Sequence, residues 1–161
     1  MRRVIVSVVF ALAVLFGVGV VVRAQAPPSL LGTWKMNLAK SSYNPASLAP
    51  KSNTVKWESF EGSFKATTDG VDAQGKPTHT ENVTKFDGKP TPLKGAPAAN
   101  TTRAQKRIDY HTFEFVDRVD GKVTTTTRVV ISPDGKSRTN TATGKNAQGQ
   151  TVNNVQVWEK Q

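Results

Sequence analysis

The stretch at residues 112–144, TFEFVDRVDGKVTTTTRVVISPDGKSRTNTATG, decides the fold that we expect for this chain. It holds runs of β-branched, aromatic and polar residues, which Asp120-Gly121 and Asp134-Gly135 separate. Branched Cβ atoms disfavour helix and suit a pleated strand. An Asp-Gly pair between such runs is typical of a type I′ hairpin turn. The stretch therefore predicts consecutive antiparallel strands.

The middle run of this stretch, residues 122–132, alternates apolar and polar side chains. Side chains of a strand point alternately to its two faces, so an alternating run has one buried face. We expect Val123, Val129 and Ile131 on that buried face.

The rest of the chain repeats the same rhythm. Thr occurs 19 times, and Gly and Pro interrupt the chain too often for a long helix. We predict strands at 31–37, 53–60, 62–69, 77–86, 102–109, 111–119, 122–132, 136–144 and 150–160. Asp87-Gly88-Lys89 is a third D-G-K sequence and predicts a further hairpin turn. Irregular connections are expected at 38–52, with a short turn after Pro45, and at 90–101.

Such a chain of hairpins predicts an all-β fold. We expect an antiparallel up-and-down meander that closes into a barrel of about eight to ten strands, because closure removes exposed strand edges. A two-sheet β-sandwich is the alternative.

One turn sequence occurs twice, as GVDAQGK at residues 70–76 and as GKNAQGQ at 144–150, and predicts the same hairpin turn used twice.

Residues 1–26 have the three parts of a secretory signal peptide. Arg2-Arg3 is a positively charged start, residues 4–22 are almost wholly apolar, and Ala24-Gln25-Ala26 is an A-x-A cleavage site. The alternative is an uncleaved membrane anchor, since the apolar run is nearly long enough to span a bilayer. We expect cleavage after Ala26, which leaves residues 27–161 as one β-barrel domain, periplasmic or secreted, without stable membrane insertion.

Composition limits the chemistry and the partners. The chain contains no cysteine, which excludes disulfides, thiol nucleophiles and a lipid anchor on cysteine. Three of the 22 basic residues and none of the 12 acidic ones lie in the signal peptide, so the chain from Pro27 carries a formal net charge of +7. A basic exported domain meets an anionic envelope surface more readily than nucleic acid. A solvated cationic surface without a partner is the alternative.

A basic cluster of Arg103, Lys106 and Arg107 lies on one predicted strand. We expect it to form a charged outer wall, with an anion-facing patch as the alternative.

No catalytic motif is present in the sequence. There is no G-x-S-x-G nucleophile elbow, and the acidic residues are scattered along the chain. His79 shares a strand face with Glu81, and His111 with Asp109, but nothing in the sequence brings the two pairs together as metal ligands. We therefore expect no enzyme, no catalytic residue, no metal and no cofactor.

The two ends of the predicted domain resemble known barrels. Leu31-Gly32-Thr33-Trp34 resembles the G-x-W signature at the first strand of lipocalins and related calycin barrels, which implies structural roles for Gly32 and Trp34. The last strand, ending in Trp158-Glu159-Lys160, is similar to that of intracellular fatty-acid-binding proteins. Those proteins place an arginine where this chain has Gln156, so the resemblance implies no fatty-acid-type carboxylate capture there. The GTWKMNLAKS opening is also similar to small exported bacterial proteins of unassigned role.

Six residues are expected to line a cavity in the barrel: Trp57, Phe113, Phe115, Asn154, Gln156 and Trp158. Alternation puts Asn154 and Gln156 on the face of Trp158, and inward amides require hydrogen-bond partners or water. We therefore expect a non-catalytic exported monomer that binds a small, largely apolar ligand with neutral polar groups. The alternative is a cell-envelope interaction or inhibitor barrel that acts through loops and basic surface.

The signal peptide leads to a first prediction. The mature protein should begin at Pro27, because the A-x-A site ends at Ala26. N-terminal sequencing of the protein from its native cell should read PPSLLG. An intact Met1 terminus in the membrane fraction would contradict it.

Overall fold

The computed structural model describes residues 30–146 and 149–161, so the predicted signal peptide lies outside the described residues. In the described ranges the chain has a short 3-10 helix at Ala46–Leu48, and no helix there is long and apolar enough to cross a membrane. The ten strands are β1 Gly32–Ser42, β2 Ser52–Phe60, β3 Ser63–Val71, β4 Pro77–Thr84, β5 Asp87–Pro92, β6 Thr101–Arg107, β7 Thr112–Val119, β8 Lys122–Ile131, β9 Ser137–Lys145 and β10 Thr151–Lys160. The predicted all-β class is confirmed.

The strands form one antiparallel sheet that nearly closes on itself. Their order is β4-β3-β2-β1-β10-β9-β8-β7-β6-β5, so the first and last strands pair in the middle of the sheet. The two ends of the sheet, β4 and β5, then meet. Glu81 forms an isolated bridge with Lys94, and Asn82 Nδ2 donates to Thr91 Oγ1 at 2.8 Å. The predicted up-and-down barrel is confirmed, and the sandwich alternative is wrong.

Two of the three D-G-K sequences lie in hairpin turns as expected, but only Asp120-Gly121 has the type I′ geometry, since Gly135 has a positive φ and Asp134 does not. Asp120 and Gly121 join β7 to β8 with φ of 49° and 78°, and both residues of a type I′ turn need such positive values. Between β8 and β9, Gly135 N donates to Ser132 O at 2.9 Å. Glu61-Gly62 joins β2 to β3 in a further two-residue turn, with φ of 46° and 71°.

The third D-G-K sequence, Asp87-Gly88-Lys89, is not a hairpin turn, so that prediction is wrong. It opens β5, while the reversal after β4 occurs at Lys85-Phe86, where Phe86 has φ of 54° and a buried ring. Burial of this aromatic ring outweighs the local preference of Asp-Gly. Pro90 and Pro92 led us to expect an irregular connection there. They lie instead in a strand at the end of the sheet, where a residue without an N–H is tolerated.

The prediction that Val123 is buried is also wrong. Its side chain is 57% exposed, whereas Val129 and Ile131 are buried as expected. In the ladder between β7 and β8, Asp117 pairs with Thr125 but the next residue, Arg118, pairs with Val123. The extra residue, Thr124, forms a β-bulge in β8, and the bulge turns the preceding side chain, Val123, to the other face.

Two further expectations concern the segment 38–52. The 38–52 segment is only partly irregular, because β1 continues to Ser42 and pairs again with β10 after a register shift. The short turn expected after Pro45 is confirmed as Ala46–Leu48.

The repeated turn sequence forms matching turns. Asp72 Oδ1 accepts from Lys76 N at 2.8 Å, and Asn146 Oδ1 accepts from Gln150 N at 2.9 Å. In each turn the glycine N–H also bonds to the carbonyl of the same Asp or Asn, at 3.1 Å for Gly75 and 2.9 Å for Gly149. The predicted repeated use of one turn is confirmed for the residues described.

The core fills one end of the barrel, where the odd-numbered strands begin and the even-numbered strands end. We call it the aromatic end. Phe86 lies at its centre, with its ring centroid 5.4 Å from that of Phe113, 5.6 Å from Trp57 and 5.7 Å from Phe64. Trp34 is fully buried beside them, and its Nε1 donates to Leu30 O at 2.9 Å.

Trp34→Ala should lower the free energy of unfolding by about 3–5 kcal/mol, the usual cost of cutting a buried aromatic to Ala. It also leaves the buried Leu30 carbonyl without its donor. Urea unfolding measures the change, with Tyr110→Ala as the control because Tyr110 is 53% exposed. Equal losses in the two variants would contradict the structural role of Trp34.

Candidate functional site

The opposite end of the barrel, which we call the cavity end, holds a cavity of about 490 Å³. Side chains from eight of the ten strands line it, together with Leu93, Ala96, Pro97 and Ala98 of the β5–β6 connection. Trp57, Phe115 and Trp158 form its floor toward the aromatic end. The cavity thus begins where the packed aromatic rings stop.

Five of the six expected lining residues lie on the wall of this cavity: Trp57, Phe115, Asn154, Gln156 and Trp158. Phe113 does not reach the wall, because it is fully buried in the aromatic end against Phe86.

Gly32 begins β1 with φ of 112°, and a Cβ there would come within 3.1 Å of the Lys160 side chain. Both conformation and close approach favour glycine at this position.

The inward amides of β10 find partners in the β1–β2 connection. Asn154 Oδ1 accepts from Asn44 N at 3.0 Å. Gln156 forms a side-chain hydrogen bond with Tyr43 of the same connection. Burial raises the pKa of the Tyr43 hydroxyl to about 12, and this hydrogen bond limits the increase. The connection is therefore tied to the barrel through β10, and part of the expected cost of burying these amides is offset.

Neutral polar side chains form most of the remaining wall. Hydroxyl groups can donate or accept, and carboxamides can do both at once. The members are Thr68, Thr78, Thr80, Thr101, Thr124, Thr125, Thr127, Asn53, Asn140 and Asn146. This composition matches the polar-lined cavity that alternation in β10 predicts.

Arg103 lies on the cavity wall, so its prediction as part of a charged outer wall is wrong. Its Nε donates to Asp117 Oδ1 at 2.6 Å and its Nη2 to Asp117 Oδ2 at 2.8 Å, a bidentate pair. Burial disfavours the charged form, but the adjacent Asp117 carboxylate outweighs it and raises the pKa of Arg103. Lys106 and Arg107 are exposed, as expected.

Arg138 is the residue that sequence reasoning missed. It lies on β9 with 3% exposure, and its guanidinium carbon is 4.8 Å from the Trp158 ring centroid and 5.1 Å from that of Trp34. Its Nε and Nη1 have no hydrogen-bond acceptor among the described residues. Desolvation, with the nearby charge of Arg103, lowers the pKa of Arg138 to about 9, so it remains charged at neutral pH.

The two arginines change the expected character of the cavity. Asn154 and Gln156 led us to expect a polar-lined cavity and a ligand with neutral polar groups. The wall instead carries the paired Arg103 and the unpaired Arg138. Alternation along β9 could have indicated that Arg138 shares a face with Asn140 and Ala142, but only the register with β10 places it against Trp158.

The histidines do not contribute to this site. His79 is exposed, and its Nδ1 lies 2.7 Å from Asp69 Oδ1. Neither histidine lines the cavity, and within residues 30–146 and 149–161 there is no cluster of three or more His, Cys, Asp or Glu side chains that could hold a metal ion.

The fold and site together define a nearly closed antiparallel barrel of ten strands with an internal cavity, which has the general shape of lipocalin and calycin barrels. No protein-family model and no curated protein matches the chain.

The Arg103–Asp117 pair generates a prediction about stability. Asp117→Leu should lower the free energy of unfolding by about 1–3 kcal/mol, because it leaves a partly buried guanidinium unpaired. Arg103→Met combined with Asp117→Leu should cost less than Asp117→Leu alone, since no charge is then left without its partner. Urea unfolding of wild type, Arg103→Met, Asp117→Leu and the double variant measures this.

Glu58→Leu is the matched control, because the Lys56–Glu58 pair is 2.7 Å long but exposed. Its cost should stay below about 1 kcal/mol. A double variant that loses as much as the two single changes combined would show that the Arg103–Asp117 pair is not coupled.

Proposed function

We propose that the protein is a non-catalytic, exported binding barrel that holds one small, largely apolar ligand in its cavity. The cavity of about 490 Å³ is the observation that carries the proposal. Pockets for small molecules generally measure about 300–1,000 Å³ and combine an apolar surface with a few polar groups. An aromatic floor beneath a polar wall fits a ligand with an apolar body and polar substituents.

Unpartnered polar atoms around the cavity support this function. Within the described chain, buried Trp57 Nε1, Trp158 Nε1 and Asn140 Oδ1 have no hydrogen-bond partner. A buried polar group without a partner is costly, so such groups mark places that water or a ligand occupies. A barrel that served only as a rigid scaffold would gain stability from apolar residues at these positions.

The family and the location belong to the same proposal. The G-x-W sequence at Gly32 and Trp34 favours a lipocalin or calycin relationship, and the buried position of Trp34 agrees with it. The signal-peptide sequence of residues 1–26 favours export. A monomer is proposed because ligand binding inside one barrel requires no second subunit.

Filling the cavity should abolish binding. Ala142 is buried on the cavity wall, and Ala142→Phe should weaken the binding of the neutral dye Nile red by at least about tenfold, because the ring occupies the ligand's volume. The measurement is a fluorescence titration, with displacement of the dye by decanol.

Thr141→Phe is the control, because Thr141 is the exposed neighbour of Ala142 on the same strand. It should leave the affinity for Nile red within about threefold of wild type. If wild type binds neither Nile red nor any aliphatic probe, decanol and decanoate included, ligand binding is the wrong function and the interaction barrel replaces it.

A further inference from the structure

We propose that Arg138 is a carboxylate-binding residue, so that the ligand of this cavity carries one carboxylate group. The inference rests on the ligand-binding function proposed above and adds the chemical class of the ligand. It starts from a buried guanidinium on the cavity wall with two N–H-bearing nitrogens that have no acceptor in the described part of the chain.

The surroundings of Arg138 hold its guanidinium over two aromatic rings and leave Nε and Nη1 without an acceptor in the described chain. Trp34 and Trp158 lie 5.1 and 4.8 Å from the guanidinium carbon, and aromatic rings attract a cation without accepting its N–H bonds in the plane. The two rings restrict the guanidinium before any ligand arrives. A guanidinium offers a carboxylate two forks, Nε with Nη2 and Nη1 with Nη2, and the two parallel N–H groups of either fork match the two carboxylate oxygens.

Among residues 30–146 and 149–161, no acidic side chain balances the charge of Arg138. Arg103 is the charged group that acts on it, and Asp117 already neutralises Arg103 through two hydrogen bonds. An isolated charge in a buried site is costly, so the cavity favours a ligand that brings a negative charge.

The polar atoms of the cavity wall that lack a hydrogen-bond partner also favour a ligand group that accepts hydrogen bonds. In the residues described, the unpartnered donors on the wall are Arg138 Nε, Arg138 Nη1, Trp57 Nε1 and Trp158 Nε1. The unpartnered acceptors there are Asn53 Oδ1 and Asn140 Oδ1. An ionised carboxylate only accepts hydrogen bonds, so it complements this excess of donors.

A carboxylate fits the charge better than a phosphate monoester. With Arg103 neutralised by Asp117, Arg138 supplies one uncompensated positive charge to the cavity wall. A carboxylate carries one negative charge, whereas a phosphate monoester carries about 1.5–2 at neutral pH and would leave an excess.

The experiment compares three probes with the same apolar tail: decanoate, decanamide and decyl phosphate. Each displaces Nile red from the full mature protein at pH 7.4, and the readout is the ratio of affinities. We expect wild type to bind decanoate at least about tenfold more tightly than decanamide, because a hydrogen bond to a charged group is stronger than one to a neutral group. Decyl phosphate should bind no more tightly than decanoate.

Arg138→Met and Arg138→Gln should reduce the ratio of decanoate to decanamide affinity to about one. Met retains an unbranched side chain that packs against aromatic rings, so this variant keeps the stack filled. Arg128→Gln is the matched control, because Arg128 is exposed on β8, and it should keep the wild-type ratio. Thermal unfolding verifies that each variant is folded.

The outcomes distinguish a failure of the carboxylate assignment from a failure of the proposed ligand-binding function. If wild type binds none of the probes and no Nile red, the proposed function itself fails. If it binds decanamide as tightly as decanoate, or if a folded Arg138 variant keeps the preference, only the carboxylate assignment is wrong. A tenfold preference for decyl phosphate over decanoate also overturns it. If neither variant folds, the Arg138 Nε–H nuclear magnetic resonance signal of wild type decides, since decanoate must shift it and decanamide must not.

Discussion

The stack of Trp34, Arg138 and Trp158 connects the strands that close the molecule. β1 and β10 are the first and last strands, and their pairing in the middle of the sheet joins the two ends of the described chain, while the consecutive strands β4 and β5 are its outer strands. The stack takes one residue from β1, one from β9 and one from β10, so it crosses this pairing on the inside of the barrel. The same three side chains lie at the boundary between the aromatic end and the cavity. The contacts that join β1, β9 and β10 therefore also border the cavity.

The division of the interior follows from the size of the inward side chains. A barrel leaves more interior space as the number of strands increases, and only large residues can fill it. Phe64, Phe86 and Phe113 provide this volume at the aromatic end. At the cavity end the corresponding positions hold short Thr, Ala and Asn residues, and the space remains. Without any cysteine, the packed rings and the ladder hydrogen bonds hold the chain together.

Local patterns predicted most strands, and they failed where a distant contact outweighed them. The Asp120-Gly121 turn follows from two adjacent residues, because positive φ values at both positions are a local property. Asp87-Gly88 carries the same preference, but the buried ring of Phe86 sets the reversal two residues earlier. Val123 shows the second type of failure. Strict alternation predicts it inside, and a bulge in the pairing with β7 turns it outward.

The sequence by itself determined the all-β class, most hairpin turns and the inward face of individual strands, including Trp57, Gln156 and Trp158. The reason is that turn chemistry and two-residue alternation depend only on neighbours in the chain. The tertiary structure alone decided which inward residues meet. Arg138 lies against Trp158, and Arg103 lies opposite Asp117, because β9 pairs with β10 and β6 with β7 in one particular register. Register depends on bulges and on closure of the whole sheet, so no local pattern contains these contacts or the charge that they bring to the cavity wall.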